Sequence, residues 1–241
     1  MAVREYPPAS VCADSPMTPE YRATLIKLLA DQARAELIAA HTYSRWVRRA
    51  PGPEEKMALA EMAREETEHW YLAIELLREL GLSPDAARRH QTRSWFYATG
   101  NVIMSWLTWL DVAMAAFLVD AAAYILVEDF AQSSYAPWAR VAQNILTDEE
   151  DHPDTGGRFL ATQIEQRGPL AVQRGLKKWW RVSMNLFGPP VTANTELYIR
   201  LGLKFRTNEE RRQIFRRSVE PRIRALGLDV PRLARERYPY L

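Results

Sequence analysis

Two stretches of this chain set acids and a histidine at one spacing: Glu65-Glu66-Thr67-Glu68-His69 and, eighty-three residues later, Asp148-Glu149-Glu150-Asp151-His152. Each contains Glu-x-x-His. On an α-helix, positions i and i+3 lie about 60° apart around the axis and about 4.5 Å apart along it, so one ion can be reached by both carboxylate and imidazole. A four-helix bundle that holds two metal ions takes Glu-x-x-His from each of two helices and one further carboxylate from each of the other two. Of four histidines, His69 and His152 have a Glu three residues before them, whereas His41 and His90 do not. Acids on solvated helix faces are the competing reading, and composition alone makes two such pairs uncommon.

Hairpin geometry locates the two missing acids. Glu66 follows the turn at Ala50-Pro51-Gly52-Pro53 by about fourteen residues, and Glu36 precedes that turn by a similar distance. A second bend at Ser134-Tyr135-Ala136-Pro137 stands about thirteen residues before Glu149, which places the partner acid near position 121. Asp120 fits, while Glu128 lies too close to the bend. The separations agree, 30 residues from Glu36 to Glu66 and 29 from Asp120 to Glu149. The expected metal-ligating and catalytic set is Glu36, Glu66, His69, Asp120, Glu149 and His152. Oxygen donors with imidazole suit redox-active iron, although manganese accepts the same set.

These residues require an all-α architecture of two antiparallel helix hairpins, with further helices toward the C-terminus. An irregular, proline-rich arm occupies residues 1–18, and residues 19–241 are expected to form one domain, with a helical extension from about residue 169. The first helix starts at Thr18-Pro19, where Thr caps and Pro occupies N1. The second runs from about Pro53 to Leu80 and stops at Gly81. Residues 82–100 read as a connection with short helical turns. The third helix, about Asn101 to Ala131, is the most apolar; its length admits a membrane-spanning reading, which the mid-helix acids Asp111 and Asp120 oppose. Those two lie about 180° apart on the wheel, so Asp111 is expected at the surface or facing a partner. A fourth helix, Pro137 to Gln166, should kink at Pro153, whose ring clashes with the carbonyl of Glu149, and Gly156-Gly157 loosens it further. Helices at about Pro169–Phe187, Asn194–Lys204 and Asn208–Leu226 follow.

A net charge of +2 over 241 residues selects no partner. The charge is unevenly spread, −8 over residues 1–160 and +10 over residues 161–241. A basic C-terminal third can meet coenzyme phosphates or an acidic protein, but it reads first as a solvated face. No nucleic-acid motif is present. Cys12 is the one cysteine, so no internal disulfide forms and no four-Cys cluster is held; with no apolar leader at the N-terminus, a cytoplasmic setting is expected. No flavin or nicotinamide fingerprint occurs, so reducing equivalents have to come from a separate reductase.

Further motifs carry a resemblance. Arg49-Ala50-Pro51, Glu65 to His69, Leu118-Val119-Asp120-Ala121-Ala122-Ala123, Ser134 to Arg140, Glu149 with His152, Trp179-Trp180 and Leu186-Phe187-Gly188-Pro189 occur in order between about Tyr21 and Arg232. In order and spacing the chain resembles the phenylacetate catabolic family of ferritin-like diiron proteins, and within it the catalytic oxygenase components of epoxidase complexes. The resemblance implies a ferritin-like bundle with two iron ions on the same six residues. It also implies O2 as co-substrate and transfer of one oxygen atom to a small aromatic or otherwise electron-rich substrate, a coenzyme A thioester being one candidate. Glu66 and Glu149 are then the expected bridging carboxylates, Glu36 and Asp120 the terminal ones, with one imidazole on each iron. Glu68 is expected at the surface or just outside the ligands, Tyr43 and Tyr124 as core tyrosines ahead of a role beside the ligands, and His41 as structural. A homo-oligomer or a complex with a related helical chain is expected. Two other roles compete: a scaffold component that lacks a working site, and a ferroxidase or iron-storage protein.

Overall fold

A computed structural model describes residues 5–83, 85 and 107–232, and within them the protein is an all-α, ferritin-like bundle. Helices α1 (Pro19–Val47) and α2 (Pro53–Glu79) form the first hairpin. Helix α3 (Trp109–Phe130) pairs with α4 (Ala136–Glu149), which is continued after a break by α5 (His152–Arg167). Three more follow: α6 (Pro169–Leu186), α7 (Ala193–Arg200) and α8 (Asn208–Ala225). The expected turns within residues 86–100, the expected first turns of the third helix at 101–106, and the tail beyond 232 lie outside the described residues.

Local chemistry sets the boundaries. The Thr18 hydroxyl accepts the Tyr21 amide at 3.1 Å and Pro19 opens α1, so the helix begins where two signals coincide. Helix α3 begins at Trp109, later than the apolar run suggests, because Thr108 and Asp111 form a capping box. Asp111, expected at the surface or facing a partner, is half-buried at the start of α3 and serves as a cap. Its carboxylate also accepts Lys178 Nζ at 2.7 Å and Trp179 Nε1 at 2.9 Å, which ties α6 to the start of α3.

The chain breaks between Glu149 and His152, where the sequence predicts a single kinked helix. Pro153 offers no amide and cannot tolerate a helical carbonyl at Glu149, so α4 stops and α5 restarts at its own first turn. Glu149 and His152 therefore flank the discontinuity. Gly156 has a different purpose from loosening the helix: a Cβ there would stand 2.3 Å from the Phe117 amide nitrogen, so only glycine lets α5 cross α3 at backbone contact.

Within α1 and α2 the apolar face is interrupted by one polar layer. Ala33 and Ala73 belong to one apolar cluster and Tyr43 and Met62 to the other, with Glu36, Glu66 and His69 between them. Helix α3 contains a window of mean hydropathy 2.0 and is the one described helix long and apolar enough to cross a membrane; 67% of that window is buried, which accounts for its composition.

The extension is fastened by charge. Asp129, 0% exposed, faces Arg211, 1% exposed, and accepts Arg211 Nε at 3.1 Å together with the amides of Phe205 at 3.0 Å and Arg206 at 2.8 Å. Arg206 pairs with Glu128, Arg222 with Asp154, and Arg212 reaches the carbonyls of Met184 and Gly188. Much of the basic surplus of the C-terminal third thus holds that third to the bundle. The arm at residues 5–18 laces over the second bend, where Val11 N donates to the Ser134 carbonyl at 2.9 Å.

Candidate metal centre

Six side chains from five helices meet inside the bundle: Glu36 of α1, Glu66 and His69 of α2, Asp120 of α3, Glu149 at the end of α4 and His152 at the start of α5. All are buried. One ligand atom from each of Glu36, Glu66, His69 and Glu149 lies within 4.8 Å of the other three. Asp120 and His152 adjoin them: His152 Nδ1 stands 3.8 Å from Asp120 Oδ2 and 3.1 Å from Glu149 Oε2. The second oxygen of Glu149, Oε1, faces His69 Nδ1 at 3.5 Å. Glu149 therefore presents one oxygen to each imidazole, the disposition of a carboxylate able to bridge two ions.

The outer nitrogens of the two rings are also held, in a crossed pattern. His69 Nε2 of α2 lies 3.2 Å from Asp148 Oδ2 of α4, and His152 Nε2 of α5 lies 2.8 Å from Glu65 Oε2 of α2. Each acid that steadies a ring comes from the other motif, immediately before its ligand glutamate. Sequence reasoning misses this role, although both acids are visible there as acid-Glu-x-x-His. Their carboxylates make Nε2 the protonated nitrogen and leave Nδ1 free to donate its lone pair inward.

Further neighbours complete the surroundings. Tyr43 donates its hydroxyl to Asp120 Oδ2 at 2.6 Å, so this core tyrosine also orients a site carboxylate. Gln32 donates to Glu36. Tyr124 is half-buried and sits near Glu150 and Glu128, His41 is at the surface, and exposed Glu68 pairs with Arg64 at 2.5 Å.

Without a cation the electrostatics are costly. Burial, then Glu149 and Glu36, push the Glu66 carboxyl well up; burial also raises Glu36, and it carries Asp120 up to about 8 against the pull of His152. Burial disfavours charge on Glu149 too, but the approach of His152 and His69 outweighs it and holds that group at about 2. Burial likewise opposes charge on His152, yet Glu149 and Asp120 carry it to about 10. Protons fill the site where positive charge is wanted. Four buried atoms directed into it, Glu66 Oε2, His69 Nδ1, Glu149 Oε2 and His152 Nδ1, lack a well-formed hydrogen bond, the imidazoles and Glu149 facing one another at 3.1 and 3.5 Å. Oxygen and imidazole donors gathered in this way fit divalent metal.

The direction of these shifts sets a pH dependence for chelator-treated protein. A carboxyl whose pKa is raised on folding keeps its proton in the native state after the unfolded chain has lost it, so stability falls as pH rises through that interval. For Asp120 the interval runs from 3.8 to about 8, and Glu36 and Glu66 act in the same sense. Above pH 7 half-buried Lys204, lowered to about 7, works in the opposite sense. The melting temperature is therefore expected to drop by about 5 °C between roughly pH 5 and 7, and less in Asp120→Asn. Calorimetry across that range tests it; a flat profile shared by both proteins contradicts the assignment.

From the cluster a cavity of about 340 Å³ extends along α1 and α3. Its walls are mainly apolar, with Ile38, Ala39, Val119, Leu126, Phe130 and Phe187 among them. Glu36, Tyr43, Glu66, Asp120 and Glu149 open onto it at one end.

Residues 6–238 match the family described as phenylacetic acid catabolic protein. The chain belongs to that family. Among its relatives is one of the subunits of 1,2-phenylacetyl-CoA epoxidase from Escherichia coli (strain K12), 26% identical over 221 residues that cover 89% of this chain and 71% of that protein. Membership in the phenylacetic acid catabolic family agrees with the resemblance read from the motifs.

Proposed function

We propose that the protein is the oxygenase component of an epoxidase-type system: a carboxylate-bridged diiron monooxygenase holding two iron ions on Glu36, Glu66, His69, Asp120, Glu149 and His152. The observation that carries this reading is the buried convergence of Glu36, Glu66, His69 and Glu149, each with a ligand atom within 4.8 Å of the others, at the end of an apolar cavity. Bound iron supplies the reductive activation of O2 and the delivery of one oxygen atom to an electron-rich ring or double bond.

The chain's own residues do the rest. Glu65 and Asp148 fix the tautomer and ring plane of His152 and His69. Tyr43 keeps Asp120 in position and holds a proton at its hydroxyl, pushed well up by burial and by Asp120 and Glu66, beside the site. The apolar walls exclude bulk water and seat the organic substrate against the carboxylates. In this reading a separate reductase delivers electrons in a cytoplasmic setting, and the relative's name as a subunit supports assembly with other chains. Manganese would be accepted by the same donors.

Two observations weigh against the rival roles. A scaffold component has no need of six buried ligand-type side chains converging on one point. A ferroxidase has no need of a 340 Å³ apolar cavity reaching the site. Elemental analysis of protein from iron-replete cells, followed by reduction and rapid mixing with O2, tests the reading. About two irons per chain and an O2-dependent absorbance change support it; protein that stays metal-free after anaerobic Fe(II) loading returns the scaffold role.

Positioning by the outer acids has its own measurement. Glu65→Gln and Asp148→Asn are each expected to weaken metal binding by about 10- to 100-fold, read by competition with a chromogenic chelator. Unchanged affinity in both variants shows that the crossed contacts do not tune the ligands.

A further inference from the structure

The far end of the cavity is lined by Lys204, Lys27, Asp31 and Tyr198. Lys27 precedes Glu36 by nine residues on α1, and Phe130, on which Lys204 rests, follows Asp120 by ten on α3. At 1.5 Å per residue the two ends are about 14 Å apart along the helices.

Lys204 is unlike the other cations of the C-terminal third. Its Nζ lies 4.8 Å from the Tyr198 ring centroid and 5.5 Å from that of Phe130, and that ammonium makes no ion pair or hydrogen bond with any described residue, while the Lys204 amide donates to the Tyr198 carbonyl at 3.2 Å. The charged groups around it are accounted for. Asp129, on α3, is already taken by Arg211 of α8 and by two backbone amides, while Asp31 and Lys27 of α1 act on Lys204 only at longer range. Burial, then Arg211, push its ammonium down to about 7. Two aromatic faces favour the cation but do not replace water or a counter-anion. A half-buried cation set between two aromatic rings against an apolar cavity gains from a ligand that brings negative charge.

We propose that Lys204 is an anion anchor and that the cavity takes a small apolar acid, its carboxylate on Lys204 and its hydrocarbon body directed toward Glu149. Two ammoniums, Lys204 and Lys27, the latter 6.0 Å from the same Tyr198 ring centroid, stand with Asp31 in one wall and leave one net positive charge, which matches a carboxylate better than a phosphate dianion. The ligand class is thus the free arylalkanoic acid, distinct from a thioester, whose carbonyl bears no charge. A phenyl ring on a chain of three or four methylenes spans most of the interval while leaving the ring at the carboxylate end. As a substrate assignment this rests on the oxygenase reading; as a binding site it does not.

The test is calorimetric titration of the full chain, both as isolated and after chelator treatment, with 5-phenylpentanoate and its primary amide. Metal-free protein removes direct ligation of the probe by metal as an explanation, and no turnover is needed, so failure of the oxygenase reading leaves the result interpretable. The acid is expected to bind about 10- to 100-fold more tightly than the amide. Lys204→Met should reduce that preference to about threefold or less while leaving the amide's affinity within about threefold, and Lys204→Arg should retain most of it. Equal binding of acid and amide by the unmodified chain, binding of neither at millimolar concentration, or an undiminished preference in Lys204→Met overturns the proposal. Should Lys204→Met fail to fold, Lys204→Gln is read against the same criteria.

Discussion

Glu149→Gln is expected to reduce bound iron from about two per chain to below one and to abolish oxygen transfer, while the fold is kept. The substitution is nearly isosteric, so packing around α4 is conserved; what changes is the charge between two imidazoles. Glu149 is the one carboxylate whose two oxygens face both rings, at 3.5 Å from His69 Nδ1 and 3.1 Å from His152 Nδ1. An amide offers one neutral oxygen in place of two anionic ones, so the ions lose their shared ligand and their mutual repulsion goes unscreened. Removing Glu36 or Asp120, each set toward one side of the cluster, should by contrast spare one ion. Elemental analysis of the three variants separates these cases, with far-ultraviolet circular dichroism as the control for folding. If Glu149→Gln retains two irons, the bridging role belongs elsewhere, with Glu66 the next candidate.

How much of this is legible in the sequence follows from the kind of information each feature carries. The ligand set depends on helical periodicity and on loop-to-ligand distance in two hairpins, both of which are local and survive in sequence. The crossed contacts from Glu65 to His152 and from Asp148 to His69 run between hairpins, so no single helix wheel displays them. Their only trace is the repeated acid directly before each ligand glutamate. The contacts of Asp111 are hidden for a related reason: the wheel places it away from Asp120, but its partner Thr108 lies in the capping turn and Trp179 on a later helix. The break at Glu150-Asp151 is foreshadowed by Pro153, although a proline alone does not say whether a helix bends or ends. Lys204 gives no sign, because its environment is assembled from α1, α3 and α7, and one lysine in a basic stretch looks like any other.

Asp129→Ala is expected to lower stability by about 3–5 kcal/mol, the largest loss among the substitutions away from the metal centre. The reasoning turns on what is left behind. Asp129 accepts Arg211 and the amides of Phe205 and Arg206, and it is sealed from water between α3 and the segment that leads into α8. Truncation leaves a guanidinium that is 1% exposed, holding only Asn208 Oδ1 at 3.0 Å, with two amides deprived of their acceptor. An uncompensated buried charge is the larger part of that loss, so the double variant Asp129→Ala/Arg211→Met, which removes both charges, should recover much of it. A functional consequence follows from position: Lys204 directly precedes Phe205 and Arg206, whose amides Asp129 holds. Loosening this segment should therefore weaken acid binding in the cavity before it disturbs iron content, and the double variant should restore stability without restoring binding. Chemical denaturation with calorimetric titration on the same samples checks both parts; equal loss of stability in single and double variants would show that the backbone acceptors, rather than the arginine, dominate.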